Sequence, residues 1–397
     1  MTEHYDVAVV GAGLIGCAAA HYLTRAGRRV LVLDQSEINR GASGRNAGSL
    51  HFQIEPRMVD VLLSDPQKLA ELMPVNLQAI EDWQRVATEL HCDLEIVMQG
   101  GLMIAETEAE HELLWRKNAL EVQAGLTVRI VDRAELRRLA PYLSEQVRFA
   151  GFCPQEGHAN PRLIAPAFAA SARVNGAVFR LNARVRSLQP SITGWRIISH
   201  TTDAADIDIQ AEAVLIAAGA WSKEILKPVG FHVPLTAVGL QMMVTQRTAP
   251  LMNHLVQHMG RRLSIKQVEA GNILIGGGWP ARLPHPEELG SVAEAQLHER
   301  AMIGSAAVAA QTVPATRQLS IIRAWSGIAC VAPDHLPVLG AVDSLPGIFI
   351  AAGGSSFTLG PTYARLISEL IASGRASMPI GLYHPERFGH ALNTGPH

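Results

Sequence analysis

Gly11, Gly13 and Gly16 follow directly on an apolar run, Asp6 to Val10, and open a helix-like stretch from Leu14 to Ala26. Gly27 ends that stretch, and a second apolar run, Val30 to Leu33, stops on Asp34. The order is strand, glycine turn, helix, strand, acid. It predicts a chain that opens with the βαβ unit of a parallel sheet. Each part has a task when a dinucleotide is bound. The first glycine permits the tight turn, the second lets backbone approach the pyrophosphate, and the third lets helix and strand pack closely. The helix start at Leu14 and Ile15 presents free N–H groups and a partial positive charge to phosphates. Asp34 can accept hydrogen bonds from ribose hydroxyls, with Gln35 and Ser36 beside it. An ordinary glycine-rich turn in a parallel sheet accounts for the glycines but not for the acid. Taken alone, the motif fits a nicotinamide or a flavin dinucleotide equally.

The chain has 397 residues, 48% of them hydrophobic. At roughly 100–200 residues per domain, two domains are expected. Lys+Arg 34 against Asp+Glu 36 leaves a formal charge of -2, with no basic block to favour nucleic acid or an anionic membrane. Cys17, Cys92, Cys153 and Cys330 are far apart, so buried free thiols are expected rather than disulfides or a metal site. His91-Cys92-Asp93 resembles a ligand triplet but lacks a partner cluster, and no metal is expected. Val7 to Ala20 is about as long as a signal-peptide core, yet no basic residue precedes it and it contains all three glycines. No run reaches the ~18 apolar residues of a membrane span. These features predict a soluble cytoplasmic protein.

No internal repeat, low-complexity tract or flexible linker stands out. Residues 36–60 are rich in glycine and polar side chains and read as a long functional loop. Helices are predicted over 66–92, 106–125, 162–175 and 287–312. Strands are predicted at 100–105, 177–181, 195–198 and 213–217, and antiparallel sheet over 236–280. A late strand at Ile348–Ala351, a glycine turn and a helix from Pro361 to Ser373, closed by Gly374, mirror the start of the chain. Both ends are therefore expected to build one nucleotide domain, with the middle supplying a second, more antiparallel one.

Three further segments carry chemistry. In Arg40-Gly-Ala-Ser43-Gly-Arg45-Asn46-Ala-Gly48-Ser49-Leu-His51 the glycines let backbone pass close to a flat ligand, and Ser43 and Arg45 suit pyrophosphate oxygens. Ala213 to Trp221 is a strand ending in small residues, which lets a cofactor come close. The third segment runs from Arg323-Ala-Trp325-Ser-Gly327 through Asp334-His-Leu-Pro337 to Gly353-Gly354-Ser-Ser-Phe-Thr358-Leu-Gly360-Pro361.

In this order the four segments resemble the FAD-dependent D-amino-acid-oxidase-like family, which includes glycine oxidase, sarcosine oxidase and related dehydrogenase subunits. The resemblance covers most of 5–51, 151–176, 211–222 and 323–371. It implies an α/β (α+β) fold: a Rossmann-like FAD-binding domain of the glutathione-reductase type and a second, mainly antiparallel-sheet substrate domain. The FAD-binding domain would take 1–65, 150–235 and 326–385, and the substrate domain 66–149 and 236–325. It further implies non-covalent FAD. Gly11, Gly13, Leu14, Ile15 and Gly16 would lie at its pyrophosphate and Asp34, Gln35 and Ser36 at its ribose. Arg40, Gly41, Ala42, Ser43, Arg45, Asn46, Ala47, Gly48, Ser49 and Leu50 would lead from the phosphates to the ring. Arg184 and Val185 would pass the adenine, and Ala218, Gly219, Trp221, Gly327 and Ile328 would flank the cofactor. Gly353, Gly354, Ser355, Ser356, Phe357, Thr358 and Leu359 would face the flavin pyrimidine edge, where the dipole of the helix starting near Pro361 favours negative charge.

Within the family the pattern is most similar to flavin (beta) subunits of heteromeric enzymes: sarcosine oxidase, proline dehydrogenase and opine oxidases. Glycine oxidase and D-amino-acid oxidase carry an arginine for the substrate carboxylate just after the Gly-Ile/Leu pair, where this chain has Ala329-Cys330. The histidine that carries covalent FMN in the beta subunit of sarcosine oxidase is absent near Asn160-Pro161. Any FMN at a subunit interface would then be non-covalent; the resemblance allows either an FMN or an iron–sulfur cluster bound with partner subunits. The implied chemistry is oxidation of a C–N bond by hydride transfer to flavin N5, followed by hydrolysis of the imine. The substrate would be an opine-, sarcosine- or proline-like amino acid. The flavin does the difficult step, and the protein binds and orients.

Candidates for substrate handling are His51, three residues beyond Gly48, and Arg323, whose two parallel N–H donors suit a carboxylate. Lys266 and Gln241 are further candidates, whereas His158 reads as structural. Three alternatives stay open: a stand-alone glycine or D-amino-acid oxidase or dehydrogenase, a nicotinamide dehydrogenase, and a non-catalytic subunit that holds FAD or relays electrons.

Overall fold

The computed structural model describes residues 3–201, 207–283 and 294–389. The predicted βαβ opening is present. Strand β1 (Glu3–Val10) leads into helix α1 (Leu14–Arg25) and then β2 (Val30–Leu33), which pairs parallel to β1. β1 also pairs parallel with β11 (Ile207–Ile216), and β2 with β8 (Val178–Arg180). β18 (Ile348–Ala352) extends the sheet beyond β11, so the late strand joins the early ones. β17 (Val338–Ala341) adds antiparallel to β18, and the ribbon β9 (Ala183–Ser191)–β10 (Gly194–Thr201) attaches to β11.

Side-chain alternation explains why β1 and β2 read as unbroken apolar runs. Val7, Val9, Val30 and Val32 enter one core and Ala8, Val10, Leu31 and Leu33 another, so both faces of the sheet are covered. On the first face α1 packs against α7 (Pro161–Val174) and α10 (Gly360–Ser373). Ala18, Ala19 and Ala20 are fully buried there, and these small side chains let the helices approach closely.

The second sheet runs β16 (Ile321–Val331), β12 (Thr236–Arg247), β15 (Asn272–Gly276), β14 (Ser264–Gln267), β13 (Leu255–His258), β4 (Gly101–Ala105), β6 (Phe149–Cys153), β5 (Arg129–Val131). Its neighbours are antiparallel except β13 and β4. Strands β6 and β16 lie whole in this sheet, so a division at 150 or 326 would fall within a strand. A two-stranded ribbon, β3 (Ser49–Leu50) with β7 (Gly157–His158), stands apart from both sheets. The remaining helices are α2 (Ala42–Arg45), α3 (Val59–Ser64), α4 (Pro66–Leu90), α5 (Glu108–Gln123), α6 (Arg133–Leu139), α8 (Ser222–Leu226) and α9 (Glu299–Thr312).

Two expectations need correction. The helix predicted over 287–312 starts at Glu299, and the part of it at 287–293 lies outside the described residues. Ahead of Glu299, Gln296 bridges to Arg282 and His298 is held by Gln241, and this pairing overrides the local helix propensity. The 36–60 stretch is not loop throughout, since α2, β3 and the start of α3 fall within it.

Candidate active site

The glycine turn sits where three elements meet. Gly11 has φ +114°, and a Cβ there would lie 2.4 Å from the Ala217 carbonyl oxygen; one on Gly16 would lie 1.9 Å from the Gly11 oxygen. Only glycine allows that approach. Gly13 precedes α1 with no side-chain cap, and the Leu14 N–H donates to Ser43 Oγ at 3.0 Å. Ile15 is buried in the same first turn. The half-buried Asp34 accepts from the Ala12 N–H at 2.6 Å and, across Gln35, from the Ser36 N–H at 2.8 Å. Burial raises its pKa, and these bonds pull it back. The Ala183 N–H donates to the Asp34 carbonyl at 2.7 Å, which brings Arg184 and Val185 next to the acid. Ala218, Gly219 and Trp221 lie in the turn that follows β11, beside Gly11.

The 40–51 segment is pinned by its own amide. Asn46 Oδ1 accepts from the Gly48 N–H at 2.6 Å, and its Nδ2 donates to the Ala42 and Ser43 carbonyls. Gly41 precedes α2, and Arg40 beside it is exposed. Arg45 reaches across to β16. Its guanidinium donates to the Ser326 carbonyl at 3.2 Å and pairs with Glu294, and the Trp325 indole donates to the Arg45 carbonyl at 2.8 Å. A Cβ on Gly327 would lie 3.1 Å from the Arg45 Cβ, so the glycine leaves room for the arginine stem, and Ile328 beyond is buried. Arg45 therefore joins the loop to β16 and makes no bond to Gly13 or Ser43.

The 353–361 segment is stitched to the 40–51 segment. Thr358 Oγ1 donates to the Ser49 carbonyl at 3.2 Å and receives the His51 N–H at 3.4 Å. The Trp83 indole donates to the Thr358 carbonyl at 2.6 Å, and its ring lies 5.5 Å from Phe357. Ser356 closes on the Gly353 carbonyl, and the Leu359 N–H on the Ser355 carbonyl at 2.9 Å. Gly354 lies against Pro337, and Leu359 precedes α10 without a side-chain cap.

A chain of polar contacts crosses from β14 to His51. Lys266 Nζ donates to the Ala47 carbonyl and, at 2.8 Å, to Ser49 Oγ. Ser49 Oγ meets Ser264 Oγ at 3.2 Å, and Ser264 Oγ meets His51 Nε2 at 3.4 Å. His51 Nδ1 is buried and has no hydrogen-bond partner among the described residues. Burial pushes the Lys266 pKa down to about 7. Burial, with the Lys266 charge, pushes His51 and His158 down to about 3, so both imidazoles are neutral at neutral pH.

A cavity of about 940 Å³ opens beside the 40–47 loop, lined by Arg40, Arg45, His158, Arg162, Arg323 and Trp325 among others. The Arg323 guanidinium makes no hydrogen bond or ion pair to another described residue, whereas Glu37, Glu95, Glu269 and Glu294 share the lining. His51 is not among the lining residues, so the two leading candidates fall in adjoining places rather than in contact. Gln241 is not among the lining residues either. It is buried, and both ends of its amide bond the His298 main chain, at 2.9 and 3.2 Å. His158, read from the sequence as structural, lines the cavity. Ser264, which bridges Ser49 and His51, shows no signal in the sequence.

A family model described as "FAD dependent oxidoreductase" (DAO) matches residues 6–370. The chain belongs to this FAD-dependent oxidoreductase family. One of the opine oxidase subunits of Rhizobium meliloti is 26% identical over 391 residues, 96% of this chain and 97% of that protein. Glycine oxidase of Geobacillus kaustophilus is 28% identical over 380 residues, 94% of each. The crystal structure of the Geobacillus glycine oxidase covers 97% of this chain and 99% of its own, with TM-score 0.83 and 25% identity. That of L-proline dehydrogenase from P. horikoshii, 22% identical, covers 98% and 99% with TM-score 0.85, a likeness of fold.

The residues present fit FAD. The glycine cradle has no room for a side chain at Gly11 or Gly16, the start of α1 is uncapped by Gly13, and an acid ends β2. His51 Nδ1 is a buried polar atom that calls for a partner. No helix of the described residues is long and apolar enough to cross a membrane.

Proposed function

We propose that this oxidoreductase oxidises the C–N bond of an amino acid or N-substituted amino acid of opine, sarcosine or proline type, as the catalytic subunit of a heteromeric oxidase or dehydrogenase. Arg323 carries the reading: a guanidinium that lines the cavity and is not spent on another described residue. Two parallel N–H donors match a carboxylate. Support for the substrate class and the assembly comes from the Rhizobium opine oxidase chain and the beta chain of Rhodobacter capsulatus sarcosine oxidase, matched over 97% and 86% of their lengths.

In this reading Gly11, Gly13, Gly16 and the first turn of α1 take the pyrophosphate, with Ser43 beside them. Asp34 takes the ribose, and Arg184-Val185 pass the adenine. Ala47 to His51 and Gly353 to Leu359 flank the ring, and the N-terminal end of α10 adds a partial positive charge there. Bound FAD supplies the hydride acceptor for the carbon that bears the amine. Arg323 holds the carboxylate, and His51 offers Nδ1 while staying neutral. Lys266 holds or yields a proton at Nζ near neutral pH. An FMN or iron–sulfur cluster, where the enzyme uses one, is shared with a partner subunit. Among the described residues no group of three His, Cys, Asp or Glu is placed to hold a metal.

A second reading, a stand-alone glycine oxidase, is favoured by the identity to the Geobacillus enzyme and opposed by Ala329 at the carboxylate-arginine position. Native purification separates them. The first reading expects a partner chain to co-elute in fixed ratio; a yellow protein that elutes alone and oxidises glycine supports the second.

A further inference from the structure

Beyond β3 the chain turns inward, and three successive main-chain donors end on two carboxylates. The Phe52 and Gln53 N–H groups donate to Glu156 Oε1 at 2.8 and 2.9 Å, and the Ile54 N–H to Glu121 Oε1 at 2.6 Å. The Gln53 side chain closes the network. Its Nε2 donates to Glu156 Oε2 at 2.9 Å, and its Oε1 receives Lys117 Nζ at 2.8 Å. Lys117 also pairs with Glu121 at 2.7 Å. All four side chains are buried, Gln53 the least at 3% exposure.

The chemistry fixes the polarity of every bond. Lys117 can only donate, so the Gln53 oxygen faces it and the Gln53 nitrogen faces Glu156. Burial raises the Glu156 pKa, and the three donors and the Lys117 charge oppose that rise; with no acceptor for a carboxyl proton, the bonds match the ionised carboxylate. Burying such ions costs several kcal/mol each unless they are paired and bonded, and apolar packing of similar volume is often the more stable choice. What this arrangement supplies is a fixed geometry. Glu156 immediately precedes Gly157–His158, the strand paired with Ser49–Leu50, and a Cβ on Gly101 would lie 2.0 Å from its Oε2. His51 is thus clamped: its own N–H goes to Thr358 Oγ1 and the next two to Glu156.

We propose that Glu156 is a positioning residue. Gln53 and Lys117 align it, Glu121 takes the next amide, and together they set Ser49 and His51 against the flavin. The proposal rests on the reading of those two residues as flavin-facing.

Glu156→Gln tests it, because the new amide sets its NH2 against the Gln53 NH2, and flipping Gln53 only turns that clash onto Lys117. The exchange Glu156→Gln/Gln53→Glu restores every donor–acceptor pair and the total charge. Three quantities are measured: hydrogen exchange of the peptide spanning 49–54 in the FAD-loaded protein, the Kd of FAD for the stripped protein, and the midpoint potential of bound FAD by dye equilibration. Glu156→Gln should speed exchange at 52–54 and weaken FAD binding by about tenfold or more each, and shift the potential. The double variant should return all three to within about twofold of the parent, the scale of an intact bond. A merely structural role lowers the unfolding midpoint and leaves the potential in place. Unchanged exchange, an unchanged potential, or a double variant no better than the single one overturns the proposal. Should Glu156→Gln not fold, a double variant that folds with parental exchange supports it, and one that also fails to fold overturns it. His51→Gln is the control for the underlying reading. If it moves neither the potential nor the Kd, the flavin-facing reading fails, while exchange at 52–54 still decides whether Glu156 positions the strand.

Discussion

The Thr358 hydroxyl donates to the Ser49 carbonyl at 3.2 Å, across 309 positions of sequence. This bond ties the loop ahead of α10 to the strand that leads to His51. Thr358→Val keeps the shape and removes the donor. We expect a loss of about 1 kcal/mol in stability, typical of one hydrogen bond, and weaker retention of FAD through gel filtration. Thermal unfolding and the flavin-to-protein absorbance ratio check this, and full retention would detach Thr358 from the cofactor.

Gly16→Ala is expected to be far more damaging. Its Cβ would lie 1.9 Å from the Gly11 carbonyl, so the glycine turn or α1 must move. Overpacking of this kind costs roughly 1–3 kcal/mol or more. The variant should be isolated colourless or insoluble. A yellow variant with a parental unfolding midpoint would contradict the cradle.

Burial of three bases predicts how the stripped protein responds to pH. His51 and His158 titrate at about 3 when folded, against an ordinary 6.5, so the unfolded chain binds more protons between those values. Stability from this source rises with pH across about 3 to 6.5. Lys266 titrates at about 7 when folded, against an ordinary 10.5, so its contribution rises with pH from about 7 to 10.5. Unfolding midpoints over pH should lose the acidic slope in His51→Gln/His158→Gln and the alkaline slope in Lys266→Met. Unaltered slopes would refute the assignment.

Arg323→Ala should raise KM for a carboxylate-bearing substrate by roughly 10- to 100-fold, the value of charge-assisted bonds. FAD content should not change. Steady-state kinetics with a carboxylate substrate and with its amide separate the two roles. Equal KM values for parent and variant would take Arg323 out of the site.

The opening strand, turn, helix and acid are legible in the sequence because their signals are local. Two apolar runs buried on both faces, glycines at close approach and an acid at a strand end all lie within residues 6–34. The helix from Pro161 and the one closed by Gly374 are legible for the same reason. The contacts of Arg45 with Ser326 and Glu294 are hidden from sequence reasoning, because those partners lie far along the chain and leave no trace in the spacing. Gln241 is a buried polar residue whose partner is the main chain at His298, so only the fold shows that it is spent. The contacts of Lys266 with Ala47 and Ser49 span more than 200 residues and are equally hidden.

The central claim, that bound FAD takes electrons from the C–N bond of an amino-acid-type substrate, is tested most directly by anaerobic absorption spectroscopy. The protein, as purified and with any co-purifying partner, is mixed in turn with octopine, nopaline, sarcosine, proline and glycine. The account predicts loss of the visible flavin band with at least one opine, sarcosine or proline, and a slower loss in Arg323→Ala. A flavin that dithionite bleaches but none of these amines reduces would contradict it.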